Sequence, residues 1–374
     1  MRRLGVHFDE DGLDLIDGDI QREAATLASA IPALRADLPR VVAALPTSPS
    51  RVYLVGCGDS LDGGIAARYA WERMMPVPVE AVPAMTFITS VLDGAPDGAL
   101  VVALSQSGKV SRVIEAVRGA RTRGLSTATI TASPSSPLAH EPADANWVIS
   151  FDKVGAVPGT TSHLLGTAAL YELGCALADA TEARDQRRAE LDGLGELVER
   201  TIAACEGPAD VQAQAMDRAS PVLALGYGPT ISSARYTVRK LLELTQLLAL
   251  WQETEEYAHD EYSLVEARFR VIQFCPPDRG ARRSAEVAAY LKRLGVHLSV
   301  VCDRLEAESY GSIADVVYPV PTCPAFLAPL AYSIPGQLMS LATARRVGGS
   351  LYGMAEQVHR EDGDPQIYES EIAP

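Results

Sequence analysis

The sequence predicts an α/β protein built from two tandem, doubly wound parallel-sheet domains, with a helical segment before them and a tail behind. Three observations lead there. Short apolar, β-rich runs alternate with amphipathic helical stretches over most of the 374 residues, the pattern of a parallel sheet covered by helices on both faces. The runs end in glycine-bearing turns such as GCGDS and LSQSG, each opening a helix. The chain also resembles itself: VYLVGCGDSLDGGIAARY from Val52 aligns without a gap with VLALGYGPTISSARYTVR from Val222, placing Gly56, Gly58 and Ser60 on Gly226, Gly228 and Thr230.

In chain order, residues 1–48 read as a helical segment. Apolar positions recur every three or four residues over 13–44, and Pro32 and Pro39 predict a break into two short helices. PTSPS is a linker. The first domain, 49–190, opens with the strand RVYLVG and the helix LDGGIAARYAWERMM, continues through GALVVAL, LSTATITA and ANWVISF, and ends on the apolar helix HLLGTAALYELGCALADA. A charged helical stretch joins it to the second domain, 205–345, where near the same offset ALVVALSQSG meets RFRVIQFCPP and HLSVVCD supplies a further strand. The tail is 346–374.

Lys plus Arg number 33 against 48 Asp plus Glu, a formal charge of −15, which argues against nucleic acid or an anionic membrane as the main partner. No apolar run approaches the ~18 residues of a membrane span, and the first residues lack the apolar core of a secretory signal, so the expected location is cytoplasmic. Six cysteines without a CxxC pair suit reduced, mostly buried thiols, and no metal-ligand spacing such as HExxH occurs. Neither a metal nor a cofactor is expected. Only four lysines stand among the 33 cations, so each invites a question.

Helix amino ends gather unpaired N–H groups and partial positive charge. The GCGDS and LSQSG turns, with Gly58, Asp59, Ser60, Ser105, Gln106 and Ser107, therefore form a candidate cradle for a phosphate or similar anion. The plain alternative is that small residues merely make tight turns. Leu61 stands where a dinucleotide fingerprint needs glycine, and no GxxxxGK[ST] is present, which excludes the NAD and ATP readings. In the second half Lys240 and Glu243 share one helix face, and His259 follows after a loop. Their bland readings are a surface ion pair and an ordinary polar loop residue.

GCGDS, LSQSG and the loop GAVPGTTS in a duplicated α/β chain resemble the sugar isomerase (SIS) domain family, especially the isomerase half of glucosamine-6-phosphate synthase and the fructosamine-6-phosphate deglycases. In that family a K-x-x-E helix precedes a histidine sixteen residues beyond the glutamate, a register that Lys240, Glu243 and His259 reproduce. The resemblance implies that Glu243 shuttles a proton between C1 and C2 of an open-chain sugar, that His259 opens the ring or moves hydroxyl protons, and that Thr160 and Thr161 contact the sugar. It implies either aldose-ketose isomerisation or deglycation or deamination of a ketosamine, with a non-catalytic sugar-phosphate sensor as the rival. It also implies a homodimer whose histidine loop completes the neighbouring site. No glutaminase domain is expected, hence no ammonia from glutamine.

Departures from the family pattern are informative. Asp59 replaces a hydroxyl residue and Val110 a threonine, while Lys109 adds a cation at the same helix entrance. A carboxylate beside a phosphate is repelled unless paired. The expectation is therefore that Lys109 neutralises Asp59 or that the ligand carries less charge. HGP of the family becomes His259, Asp260, Glu261. No lysine follows Lys292, so the Schiff-base lysine of the synthase tail is not expected, and His359, Tyr368 or Glu369 would at most cover the site. His163, Cys57 and Cys175 read as packing residues.

Overall fold

The computed structural model describes residues 10–155, 157–179, 181–349 and 372. Most of the expected tail, including His359, Tyr368 and Glu369, lies outside the described residues.

Residues 13–44 do not break at their prolines. A single helix, α1, runs Glu10–Val42 with Pro32 and Pro39 inside it. Both rings lie on the exposed side, while Ile16, Ile20, Leu27, Ile31, Leu34, Leu38 and Val41 make a buried stripe at helical spacing. An interior proline costs about 3 kcal/mol, and each buried aliphatic side chain returns about 1.5 to 3 kcal/mol, so the stripe prevails.

The first sheet comprises β1 (Val52–Gly56), β2 (Val79–Pro83), β3 (Leu100–Leu104), β4 (Ser126–Thr131) and β5 (Ala145–Val148), in the order β2-β1-β3-β4-β5. Every pairing is parallel, with Val52 opposite both Val79 and Leu100. Helices α2 (Asp59–Met74), α3 (Ser111–Thr122) and α4 (Thr161–Leu177) flank it. Two linking helices, α5 (Glu182–Asp192) and α6 (Leu194–Ala215), lead to the second sheet. Its strands are β6 (Val222–Gly226), β7 (Ala249–Glu253), β8 (Arg270–Cys275), β9 (His297–Asp303) and β10 (Val316–Val320), ordered β10-β9-β8-β6-β7 and again all parallel. Helices α7 (Ile231–Thr245), α8 (Ala281–Arg293) and α9 (Ile334–Val347) accompany it. The order is the same in both halves, as the internal repeat requires.

The apolar packing is shared between the halves. One cluster takes in the α1 stripe, Leu54 and Val102 of the first sheet, Ala224, Phe274 and Tyr318 of the second, and the helical residues Trp71, Tyr171 and Met339. Two smaller clusters fill the outer faces, one per sheet. The sheets are therefore fixed to one another by a common helical layer, and residues from different halves can meet at defined distances. The cysteines carry no disulfide among the described residues. No helix among these residues is long and apolar enough to cross a membrane.

Two buried acids, Asp19 and Glu23, interrupt the apolar face of α1. Glu23 is fully buried, and neither of its carboxyl oxygens has a hydrogen-bond partner. Burial, then the neighbouring charge of Asp19, holds this carboxyl well above the usual carboxylate range, against a smaller opposing effect of Gln337. A carboxyl raised on folding stabilises the native state only while the unfolded chain is also protonated, and that contribution is lost as pH rises from about 4 towards the folded value. Urea unfolding should thus find Glu23→Gln more stable than the parent by about 1 to 3 kcal/mol at pH 7 to 8, with the difference vanishing near pH 4.

Candidate active site

The strand order of the first sheet reverses between β1 and β3, which opens a crevice beyond their carboxyl ends. The GCGDS and LSQSG turns form its two lips. Gly58 enters α2 at φ +58°, a left-handed conformation that suits glycine. Ser105 is buried and its Oγ accepts the Gly108 N–H at 3.2 Å, while Ser107 Oγ accepts the Lys109 N–H at 3.3 Å. Ser60, Gln106 and Ser107 remain partly exposed at the mouth. Two helix entrances and several hydroxyls thus converge, the chemistry of an anion cradle. Gln106 Nε2 donates to Ser162 O at 2.5 Å, which ties the second lip to the start of α4.

Helix α7 brings the second half to this crevice. Its Lys240 is almost fully buried, and its Nζ donates to Asp59 Oδ2 at 2.7 Å and to Glu243 Oε2 at 2.5 Å. Alongside, Asp62 of α2 is fully buried and receives Arg235 Nε at 2.7 Å and Arg239 Nε at 2.5 Å. Asp59 and Asp62 lie three apart on one helix, and Arg235, Arg239 and Lys240 share a stretch of the other. Two charged faces therefore meet in register. Burial pulls the Lys240 ammonium down, but Asp59 and Glu243 outweigh it, and the group stands above its ordinary range. For Glu243, burial raises the carboxyl, Lys240 lowers it and Asp59 raises it, with a net upward result.

Tyr236, one turn before Lys240, closes the floor. Its hydroxyl donates to Gly159 O at 2.6 Å, and its ring stacks on His163 with centroids 4.1 Å apart. His163 Nδ1 lies 3.3 Å from Asp59 O. Burial lowers the imidazole below its usual range, while Asp59 and Asp62 oppose that shift. Gly159 is needed where it stands, because a Cβ there would come within 2.4 Å of Asp59 Oδ2.

Lys240, Glu243 and Asp59 meet as one cluster beside the serine turns. Lys109 is exposed, and it is Lys240 that pairs with Asp59, which corrects the expectation that Lys109 neutralises it. In the Lys240–Glu243 pair the lysine is buried and the glutamate partly so, because α7 packs on α2. Thr160 and Thr161 are turned inward instead of towards a sugar. Thr160 Oγ1 donates to Asp19 Oδ2, and Thr161 Oγ1 donates to Asp19 O at 3.2 Å, so both hydroxyls anchor the loop to α1. His259 is not drawn into the cluster within one chain. Its side chain is 69% exposed beyond the short helix Thr254–Tyr257, with Nε2 3.8 Å from Glu255 Oε1. The sequence reading missed Asp62, Arg235, Arg239 and Tyr236. The matched charge spacing of α2 and α7 is the signal that could have found them.

Residues 47–169 match the family model described as SIS domain. A glutamine--fructose-6-phosphate aminotransferase [isomerizing] of Mycobacterium bovis is 30% identical over 309 residues, covering 80% of this chain and 49% of that protein. The chain thus spans about half the length of the curated relatives it matches. Among solved structures, the C-terminal domain of glucosamine-fructose-6-phosphate aminotransferase from Francisella tularensis aligns with a TM-score of 0.82 at 22% identity, over 92% of this chain and 99% of that one. Tagatose-6-phosphate ketose/aldose isomerase from Escherichia coli aligns at 0.75 and 17%, over 94% and 98%. These structural likenesses establish the fold.

Removing the buried ammonium would leave two carboxyl groups facing each other. Lys240→Met should lower stability by about 3 to 5 kcal/mol at pH 8, and by less at pH 5, where a proton on either acid relieves the repulsion. Thermal unfolding across that range checks both the size and the sign.

Proposed function

Residues 47–169 belong to the SIS domain family, and we propose that the chain is an enzyme that binds a phosphorylated sugar and moves a proton between its carbonyl carbon and the carbon beside it. The observation that carries this reading is the Asp59–Lys240–Glu243 cluster at the rim of the serine-lined crevice. A carboxylate opposite an anion site would repel a phosphate, but the bond to Lys240 neutralises Asp59 from behind, so Asp59 does not exclude a phosphorylated ligand. The turns carrying Ser60, Ser105, Gln106 and Ser107 would hold the phosphate. Glu243 would then lie at the reacting end, with a carboxyl raised by burial towards the range where an acid can both take and return a proton.

In this reading C2 of an aldose, or C1 of a ketose, loses its proton to Glu243. The carbonyl oxygen takes up a proton as the enediol forms, the same carboxylic acid protonates the former carbonyl carbon, and the neighbouring hydroxyl gives up its proton as the new carbonyl appears. Lys240 orients the carboxyl group. A ketosamine would enter through the same abstraction at C1; protonation at C2 leaves an imine at C1, which water hydrolyses to the aldose and the free amine, so deglycation or deamination is a second outcome of the same base.

His259 would act from a second copy of the chain. Its ring faces solvent in the protomer, and the same stretch of chain, 248–264, leaves Leu248, Leu250, Trp251, Tyr262 and Leu264 exposed. An apolar surface carrying a candidate acid-base residue suits a two-fold interface in which each chain completes the other's site.

Incubation with fructose 6-phosphate, glucosamine 6-phosphate and fructosamine phosphates in heavy water should place deuterium at C1 or C2. Glu243→Gln should slow this exchange by about 10²- to 10⁴-fold. Binding without exchange in the parent protein would instead make the chain a sugar-phosphate-binding module. Mixed refolding of inactive Glu243→Gln and His259→Ala chains should restore about a quarter of parental activity, since half the dimers would hold one intact shared site. No recovery on mixing would confine the site to one chain.

A further inference from the structure

Asp59 stands where the resembled family carries a hydroxyl residue, and its bond to Lys240 gives that departure a consequence. Lysine offers three donors from one point charge. Here two of them go to carboxylates of different helices, Asp59 on α2 and Glu243 on α7. Asp59 Oδ1 is buried without a hydrogen-bond partner, and Gly159 closes against Oδ2. The side chain is therefore held at a fixed place with little water to screen it.

We propose that Asp59 is a positioning residue for Glu243: by sharing the Lys240 ammonium it prevents that charge from belonging to Glu243 alone, and it keeps Glu243 able to pick up and return a proton. This rests on the reading of Glu243 as the proton carrier. The charges facing Glu243 are Lys240 and Arg239 on its own helix and Asp59 on α2. Arg239 is engaged by Asp62. His163 and Tyr236 lie behind Lys240, and burial disfavours the charged form of each. Asp59 is thus the negative group that offsets Lys240. Without it, the ammonium would stabilise ionised Glu243 and make it a weaker base.

Two readouts separate this proposal from the function it rests on. Carbon-13 titration of glutamate carboxyl groups in the ligand-free protein, with Glu243→Gln as the assignment reference, follows Glu243 whether or not a substrate is found. In Asp59→Asn its midpoint should fall by about one pH unit, the size expected when a close like charge is removed. The acid limb of kcat/KM for deuterium exchange should move down by the same amount, and kcat near pH 7 should fall up to about tenfold as the base weakens. Asp59→Ser, smaller than the parent side chain and free of contact with Gly159, should reproduce both shifts, and it stands in if the asparagine variant does not fold. A folded variant with an unmoved Glu243 midpoint overturns the proposal. A midpoint that moves as expected, in a protein that exchanges deuterium into none of the sugar phosphates, supports the charge sharing and rejects the enzyme reading instead.

Discussion

An ammonium group buried between carboxylates from two halves of the chain is the constraint on which the arrangement of the site depends. Lys240 cannot be dry and unpaired, because moving an isolated charge out of water costs far more than the stability of a domain. It therefore requires Asp59 and Glu243 to be where they are, and with them the amino end of α2 and the face of α7. Asp62 with Arg235 and Arg239 repeats the requirement one turn away. Buried ion clusters of this kind add little net stability relative to apolar packing, but a misaligned one is strongly penalised. They select a single relative placement of the two sheets from those that hydrophobic packing would allow.

Packing supplies the stability that the ion cluster does not. The α1 stripe, Trp71, Tyr171 and Met339 join one apolar body running between the sheets, and Arg35 of α1 reaches the fully buried Glu172 of α4 at 2.8 Å. From the other end of α1, Asp19 takes both threonines of the loop that carries Gly159, the residue packed against Asp59. The segment ahead of the first sheet is therefore structural support for the site. It sets the loop, the loop fixes Asp59, and Asp59 divides the charge of Lys240 with Glu243.

Much of this was legible in the sequence because it rests on local rules. Glycine turns after β-rich runs marked β1 and β3, and the gapless repeat gave the second sheet the order of the first. The K-x-x-E spacing identified Lys240 and Glu243. What escaped were features decided by contacts distant in sequence. The prolines of α1 argued for a break that its buried stripe overrode, Thr160 and Thr161 looked available until Asp19 engaged them, and Lys109 looked like the partner of Asp59 until α7 delivered Lys240. His259 had the right register, yet one chain leaves it at the surface, which a linear spacing has no means of revealing.

The duplication raises the question of how the turns of the second half differ from those of the first. In the second sheet the order also reverses, between β6 and β8, but the lips are already occupied. Tyr227 stands where Cys57 does in the first half, and its hydroxyl donates to Asp278 Oδ1 at 2.5 Å, the same oxygen that accepts the Gly280 N–H at 2.8 Å. An internal carboxylate takes a loop N–H of the kind that would hold a ligand anion, and burial together with Asp278 disfavours ionisation of the phenol that covers it. A phosphate entering there would have to displace one negative group with another. The repeated fold has thus divided its labour: the turns of the first half keep small hydroxyl residues, while the second half pairs Tyr227 with Asp278 and contributes Lys240 and Glu243 from the helix that follows β6.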